Sequence, residues 1–212
     1  MDRIPLVESD RLTPEQRQVY DRIVAGPRRA MVGPLRAVLH NPELAEHWQQ
    51  LGALVRYGTS LPARLKEIAI LVTARRWNAD LEWRIHEAEA RKAGVSDAVV
   101  DAIRAAVLPA FADVAEREVY EFARELQENG RVSDPCYRAV HDRLGTVGIV
   151  ELTALVGYYT MVAMMLNAHE VALPEGTTGT GRPLPAVGPD DQLTVCARTD
   201  RRDPGSTGDR QA

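Results

Sequence analysis

The sequence is poor in cysteine, with only Cys136 and Cys196 among 212 residues. These two residues lie far apart, and the second belongs to a polar C-terminal stretch. Neither a disulfide framework nor a set of cysteines spaced for a metal site follows from this pattern. The chain therefore does not resemble a disulfide-rich domain or a zinc-binding module.

The sequence also lacks an excess of basic charge, the residue order of a signal peptide and a long uninterrupted apolar run. The formal net charge is -4 with mixed signs and no block of lysine and arginine, which disfavours nucleic-acid binding. The N-terminus lacks the basic-then-apolar order of a signal peptide, so a cytoplasmic protein is expected. The least charged run, residues 152–168, contains Thr, Gly, Tyr and Asn, and we interpret it as a buried core helix, not a membrane span.

No segment shows sustained two-residue alternation, and the sequence therefore predicts an all-α protein. Thr13 with Gln16 predicts a capping box for a first helix that ends at Gly26. Asn41 followed by proline begins another helix, which ends at Gly58. Further helices are predicted to begin at Ser60, with Asp80 as a cap, at Ser96, near residue 113 and at Ser133, and a long apolar helix over residues 147–171 closes the ordered part.

The composition divides the chain into three parts. Residues 1–33 are predicted to form an N-terminal helical extension, and residues 34–175 the main helical domain. Residues 176–212 are rich in Gly, Pro, Thr and Asp without a period, which is typical of a flexible polar tail.

A short internal similarity links the two halves of the main domain. KEIAILV at residues 66–72 resembles VELTALV at residues 150–156, and His86 and His169 follow Glu67 and Glu151 at nearly the same distance. This pattern fits a duplicated helical hairpin, and it equally fits the chance similarity of two amphipathic helices.

The stretch EWRIH places Glu82, Trp83 and His86 within five positions. Glu82 and His86 share one face of a helix. If the chain turns back at WNAD, residues 77–80, Glu67 lies about 13 Å before the bend and His86 about 9 Å after it. Glu67 would then face His86 across a hairpin, with Trp83 available to exclude water or to stack on a planar substrate. The alternative is that these side chains are ordinary solvated helix residues.

The order of residues in HNPELAEHWQQLGALVRYGTSLPARLKEIAILVTARRWNADLEWRIHEAEARKAGVSDAVVDAIR, with ELTALVGYYTMVAMMLNAHEVALPEG further on, resembles the carboxymuconolactone decarboxylase family of the alkylhydroperoxidase D-like superfamily. The resemblance covers roughly residues 35–175, and its central motif is Glu67, Glu82-Trp83-x-x-His86 and Gly94-Val95-Ser96. It implies an all-α fold with an internally repeated helical hairpin, assembled as a homotrimer or homohexamer with sites near subunit contacts.

The resemblance also implies which chemistry to expect. The peroxidase branch of the superfamily carries a Cys-x-x-Cys pair, and those positions are here Ala79 and Glu82. Thiol redox chemistry needs a thiolate and a resolving thiol. The resemblance therefore points to the decarboxylase side, a reaction without metal or other cofactor on a small unsaturated carboxylic acid or lactone.

In that reaction a proton moves to or from a carbon next to a carbonyl group. We expect His86 to be the main general acid/base, Glu67 to orient it, and Glu82 to be a second acid/base or a substrate contact. Trp83 and Tyr158 are candidate substrate contacts, although Tyr158 also fits a packing role. An anionic substrate needs a cation, for which the candidates are Arg75, Arg64 and Arg36.

Two other hypotheses remain open at this point. The chain could be a non-catalytic oligomeric module that forms a ring or a partner surface. A thiol-dependent peroxidase or reductase would instead require Cys136 and Cys196 to approach each other.

Overall fold

The structure is a computed structural model that describes residues 3–31, 33–172 and 184–185. Its helices are α1 (Pro14–Ala25), α2 (Pro34–Val38), α3 (Pro42–Tyr57), α4 (Ala63–Arg76), α5 (Asp80–Lys92), α6 (Asp97–Arg104), α7 (Val114–Asn129) and α8 (Asp134–Ala168). None of the described residues forms a strand. The prediction of an all-α protein is confirmed.

The predicted caps of the first long helices are present. Thr13 and Gln16 form the reciprocal capping box of α1. The Asn41 side chain accepts a hydrogen bond from the Leu44 backbone N–H at 3.0 Å, so α3 begins where the sequence predicted. The first unsatisfied N–H groups of both helices are thereby paired.

Two predicted helix starts are displaced by competing contacts. The α4 helix begins at Ala63 and not at Ser60, because the Ser60 N–H and hydroxyl both donate to the Glu151 carboxylate, at 2.9 and 2.6 Å. Asp80 is the first residue of α5 and not its cap, since its carboxylate pairs with Arg84 and accepts from the Leu184 N–H.

The α8 helix consists of two helical segments that meet at Gly145. This residue has φ 69° and ψ 179°, a conformation that glycine adopts without the penalty a Cβ atom would bring. The break separates the segment that begins at Ser133 from the long apolar segment, as the sequence predicted.

The core is built around α4, which packs against α5, α7 and α8. All but one residue from Leu65 to Arg75 are buried, Lys66 being the exception. Ile68 and Leu71 are fully inaccessible, and burial of each such side chain contributes about 1.5–3 kcal/mol relative to exposure. The helix is therefore a rigid platform for any functional group that it carries.

Within the described residues, α8 is long and apolar enough to cross a membrane by length and composition, with a mean hydropathy of 1.7 in its most apolar window. Half of that window is buried inside the protein. Leu152 and Leu155 are completely inaccessible, which agrees with the predicted core helix.

The two halves do not carry equivalent sites. Glu151 binds Ser60, and His169 lies at the C-terminal end of the same helix. Their separation of 18 positions corresponds to about 27 Å along a helix axis. No second pair equivalent to Glu67 and His86 therefore forms in this half.

Most of the predicted flexible tail, residues 176–212, lies outside the described residues. Leu184 is an exception, because it is 7% exposed, packs on the hydrophobic core and donates its N–H to Asp80. Leu184 thus contacts the folded domain, and the flexible tail as a whole stays a prediction. At the other end, Val19 and Ile23 of α1 belong to the common core, and the domain limits stay a prediction.

Candidate active site

A tight turn joins α4 to α5 at the predicted bend. Asn78 has a positive φ of 50°, a conformation that asparagine adopts more readily than most residues. The Ala79 N–H donates to the Ala74 carbonyl at 2.9 Å, which closes the turn. The α5 helix then packs against α4, so that groups on the facing sides of both helices meet.

The turn brings Glu67 of α4 together with Glu82 and His86 of α5. His86 Nδ1 lies 2.6 Å from Glu67 Oε2, and His86 Nε2 lies 2.9 Å from Glu82 Oε1. Both ring nitrogens are thus held by carboxylates, one from across the hairpin and one from the preceding turn of α5. We call Glu67, Glu82 and His86 the carboxylate–histidine triad.

The charge state of the triad follows from its geometry. Burial alone would lower the pKa of His86, but attraction and hydrogen bonding by Glu67 and Glu82 raise it from 6.5 to about 9. His86 is therefore an imidazolium at neutral pH, with each N–H donating to a carboxylate. With both carboxylates ionised, the triad carries a net charge of -1.

The three members of the triad differ in their access to solvent. The His86 side chain is 1% exposed, whereas those of Glu67 and Glu82 are 11% and 7% exposed. A molecule that approaches from solvent would meet a carboxylate before the imidazole. Glu67 and Glu82 thus lie between the buried, protonated His86 and the solvent.

Two adjacent tyrosines of α8 form a wall beside the triad. The Tyr159 ring stands edge-on to His86, with centroids 5.0 Å apart and an interplanar angle of 83°. Burial raises the pKa of Tyr159 well above its ordinary value, so the phenol stays neutral. Tyr159 was not among the predicted site residues. Only its position next to Tyr158 in the sequence could have indicated that it lies at the site.

Tyr158 lies in a second layer behind Tyr159, at a centroid distance of 5.4 Å. Its hydroxyl accepts a hydrogen bond from Arg28 Nη2 at 3.1 Å, and its ring packs on Trp48. A Cβ atom at Gly52 would lie 2.1 Å from this hydroxyl, so only glycine leaves room for it. These contacts describe a packing position, and the predicted substrate contact stays a prediction.

Trp83 is fully buried, and its indole N–H donates to Glu87 Oε2 at 3.1 Å. Glu87 in turn forms ion pairs with Arg91 and Arg104. The polar atom of Trp83 is therefore engaged in an internal network. Its predicted role in substrate binding stays a prediction.

The three arginines considered as anion sites have partners outside the triad. Arg75 is eight residues from Glu67, about 12 Å along α4, and its Nη1 donates to Asn78. Arg64 pairs with Asp113 and Glu116, while Arg36 contacts the Val7 carbonyl. None has a described contact with the triad, and the role of Arg75 stays a prediction.

A further arginine, Arg56 of α3, was not among the anion sites predicted from the sequence. Arg56 is half-buried, and its charge interacts with Glu67, Glu82 and Tyr159. Nothing in the helical spacing of α3 marked this residue, because its proximity arises from tertiary packing.

Metal ligands and thiols are the other groups that could carry chemistry in this protein. The described residues contain no group of three or more His, Cys, Asp or Glu side chains arranged to hold a metal ion. Burial raises the pKa of Cys136 to about 12, and Glu125 and Glu121 act in the same direction. Cys136 is therefore a protonated thiol at neutral pH, and Cys196 lies outside the described residues.

A cavity of about 500 Å³ lies between the α4–α5 turn and the end of α8. It is lined by residues such as Trp77, Asp80 and Asn167, and none of its lining residues belongs to the triad. A site chosen by this cavity alone would therefore not include the triad. We place the candidate site at the triad because a buried cation held by two carboxylates is the arrangement that can store and move a proton.

The helices that carry the triad form a fold of the alkylhydroperoxidase D-like type. Residues 42–125, which carry the whole triad, match the sequence model of the Carboxymuconolactone decarboxylase family. The resemblance noted in the sequence is confirmed over these residues.

Two crystal structures share the fold. An uncharacterized peroxidase-related protein from Silicibacter sp. TM1040 is 15% identical with a TM-score of 0.64, over 82% of this chain and 92% of that chain. An uncharacterized peroxidase-related protein from Ralstonia eutropha JMP134, described as an alkylhydroperoxidase AhpD core, is 16% identical with a TM-score of 0.65, over 83% of this chain and 94% of that chain. At these identities the likeness concerns the fold alone. The comparison with curated proteins gave no match.

Proposed function

We propose that the protein is a cofactor-independent acid/base enzyme of the carboxymuconolactone decarboxylase type, acting on a small unsaturated carboxylic acid or lactone. The observation that carries the proposal is the buried His86 imidazolium, held at both nitrogens by Glu67 and Glu82 at 2.6 and 2.9 Å. An isolated cation in such a place would be costly. The carboxylates stabilise it and give its protons a route outward.

The proton path follows from the exposure of the three groups. His86 is 1% exposed and has no direct access to a substrate, so its proton must pass through a carboxylate. Glu82 is bonded to Nε2 and partly reaches solvent. We assign Glu82 as the group that delivers the proton, His86 as the proton store, and Glu67 as the residue that fixes the imidazole through Nδ1.

A decarboxylation on this site balances without any further reactant. The bond between the substrate carbon and its carboxylate breaks, carbon dioxide leaves, and the electron pair is delocalised into the neighbouring carbonyl group. His86 passes its Nε2 proton to Glu82, which delivers it to the carbon, and a proton from solvent then restores the imidazolium. Lactone opening and proton-shift reactions use the same transfer to carbon without loss of carbon dioxide.

The experiment is a turnover assay on a panel of unsaturated carboxylic acids and carboxylated lactones, followed by ultraviolet absorbance and release of carbon dioxide. Loss of a positioned acid/base lowers turnover by about 10²- to 10⁴-fold, which we expect for His86→Gln and for Glu82→Gln. His141→Gln is the matched control, because this histidine lies half-exposed on α8, apart from the triad. Unchanged turnover in His86→Gln would remove His86 from the mechanism.

A thiol-dependent reaction is the alternative that the words "peroxidase-related" of the two similar structures suggest. The proposal disfavours it because Ala79 and Glu82 occupy the positions of the redox pair and because Cys136 is a buried, protonated thiol. A variant with both Cys136→Ser and Cys196→Ser should keep full activity. Loss of activity in that variant would favour the thiol alternative.

A non-catalytic oligomeric module is the second alternative. In that case, substitutions at Glu67 and His86 would change only stability, and no acid in the panel would be consumed. Any turnover that depends on Glu82 distinguishes the proposed enzyme from such a module.

We also propose that the protein forms a homotrimer or homohexamer, with a second copy of the chain packed on α8. An exposed apolar stripe runs along this helix at spacings of three and four residues, which is the pattern of helix-to-helix seams. We call it the α8 stripe; it consists of the exposed residues Val147, Val150, Ala154, Gly157 and Met164 and the half-buried Met161. Val147 and Val150 are 66% and 63% exposed, an unfavourable state that packing against the same stripe of another copy would relieve.

A further inference from the structure

We propose that Arg56 binds the carboxylate of the substrate beside the triad. This inference rests on the proposed acid/base function and adds the group that holds an anionic substrate. It concerns binding, so that it can be tested separately from turnover.

One hydrogen bond ties the backbone of Arg56 to α4. Its backbone carbonyl accepts a hydrogen bond from Lys66 Nζ at 2.8 Å, and Lys66 precedes Glu67 in the chain. Its guanidinium stands over the ring of Tyr57, 5.3 Å from the centroid. The last turn of α3 is thus tied to the helix that carries Glu67.

The charge of Arg56 acts on the triad. Burial alone would lower the pKa of Arg56, but interactions with Tyr159, Tyr57, Glu67 and Glu82 raise it overall. The guanidinium is therefore a permanent cation within electrostatic reach of both triad carboxylates and of the tyrosine that touches His86.

Arg56 has no carboxylate within 4.0 Å among the described residues, in contrast to Arg64 and Arg91, which form two or more ion pairs each. Its side chain is also half-buried and not enclosed. A partly desolvated guanidinium that lacks a carboxylate partner can accept one from a ligand in bidentate geometry.

The charge balance of the site supports the same conclusion. Two ionised carboxylates and one imidazolium leave the triad at -1, which repels an anion. Addition of Arg56 brings the group to zero, so a substrate carboxylate can approach Glu82. A carboxylate bound to Arg56 would leave the reacting carbon of a small acid close to the triad.

The test measures binding of sorbate, a small conjugated carboxylate, and of its neutral methyl ester by isothermal titration calorimetry. Loss of a charged hydrogen-bond partner weakens binding by about 10- to 100-fold, which we expect for sorbate in Arg56→Gln, with partial recovery in Arg56→Lys. Arg117→Gln is the matched control, since it removes the same charge from an exposed position on α7. The methyl ester should bind all variants equally.

Three outcomes separate the possibilities. Sorbate binding that is lost in Arg56→Gln but kept in Glu82→Gln supports the anion site even if turnover is later found not to depend on the triad. Equal sorbate affinity in Arg56→Gln and wild type overturns the proposal, and so does the absence of sorbate binding to the wild type. A change in melting temperature without a change in sorbate affinity would show that Arg56 only neutralises the triad, and would also overturn it.

Discussion

The protonation of His86 should make the stability of the protein fall between pH 6.5 and pH 9. The pKa of His86 is raised from 6.5 to about 9 in the folded protein. A raised pKa contributes stability that is fully present below pH 6.5 and is lost as the pH rises through 9, because in this interval the folded state binds more protons than the unfolded state. Since one pH unit corresponds to about 1.4 kcal/mol, the loss is on the order of 3 kcal/mol.

Other groups act outside this interval. Burial raises the pKa of Cys136 from 9 to about 12 and raises the pKa values of Tyr158 and Tyr159 above 10. These groups lower stability only above about pH 9. Among the described residues with a resolved shift, the interval from pH 6.5 to 9 therefore reports on His86.

The assay is urea unfolding at fixed protein concentration, followed by circular dichroism, at pH 6, 7, 8 and 9.5. The wild type and the control His141→Gln should lose on the order of 3 kcal/mol of the free energy of unfolding across this range, with an unchanged urea dependence. His86→Gln should be less stable at pH 6 and nearly independent of pH. If His86→Gln does not fold, Glu67→Gln serves instead, since it removes the main carboxylate partner and should reduce the loss. A wild-type stability that is flat from pH 6 to 9.5 would refute the assignment of a buried imidazolium.

Three further predictions concern the surroundings of the site. Gly52→Ala places a Cβ atom 2.1 Å from the Tyr158 hydroxyl, so overpacking should lower the free energy of unfolding by about 1–3 kcal/mol. Gln50→Ala, at an exposed position on the same helix, should change this free energy by less than about 0.5 kcal/mol. Equal free energies of unfolding for the two variants would contradict the close packing at Gly52. Cys136 should react with iodoacetamide at pH 8 much more slowly than a free thiol, and rapid modification, located by mass spectrometry, would contradict its burial. Val150→Glu should reduce the molar mass in light scattering to that of smaller species, whereas the control Val114→Glu on α7 should not; an unaltered mass for Val150→Glu would exclude the α8 stripe as the contact.

Local patterns in the sequence predicted the triad because all of its geometry lies within one hairpin. Glu82 and His86 are one helical turn apart, and the bend at Asn78 returns the chain at the distance needed for Glu67. Spacing along helices and turn chemistry were enough to bring these groups together.

Residues that reach the site from other helices could not be found in this way. Arg56 comes from α3 and Tyr159 from α8, and the local periodicity of those helices shows only that one side of each is buried. The sequence could not choose among Arg75, Arg64 and Arg36 as the anion site, because helical spacing shows only the distance along one helix.

Position in a motif also did not determine the direction of each side chain. Trp83 lies next to Glu82 in sequence, but adjacent helical residues point about 100° apart, and the indole donates to Glu87 in the interior. Ser60 was expected to begin α4 and Asp80 to cap α5, and both instead bind partners far away in sequence, Glu151 and Leu184. Such long-range hydrogen bonds compete with capping and are absent from any local window.

The central claim, that the triad transfers a proton to or from carbon, can be tested by proton NMR in deuterium oxide. The sample would contain an unsaturated lactone that bears a carboxymethyl group, and the signal of its hydrogen next to the carbonyl would be followed with time. We predict that the wild type exchanges this hydrogen for deuterium, and that His86→Gln and Glu82→Gln do so at least about 100-fold more slowly, while His141→Gln matches the wild type. Exchange at the wild-type rate in His86→Gln, or no exchange above the rate in buffer for the wild type, would contradict the account.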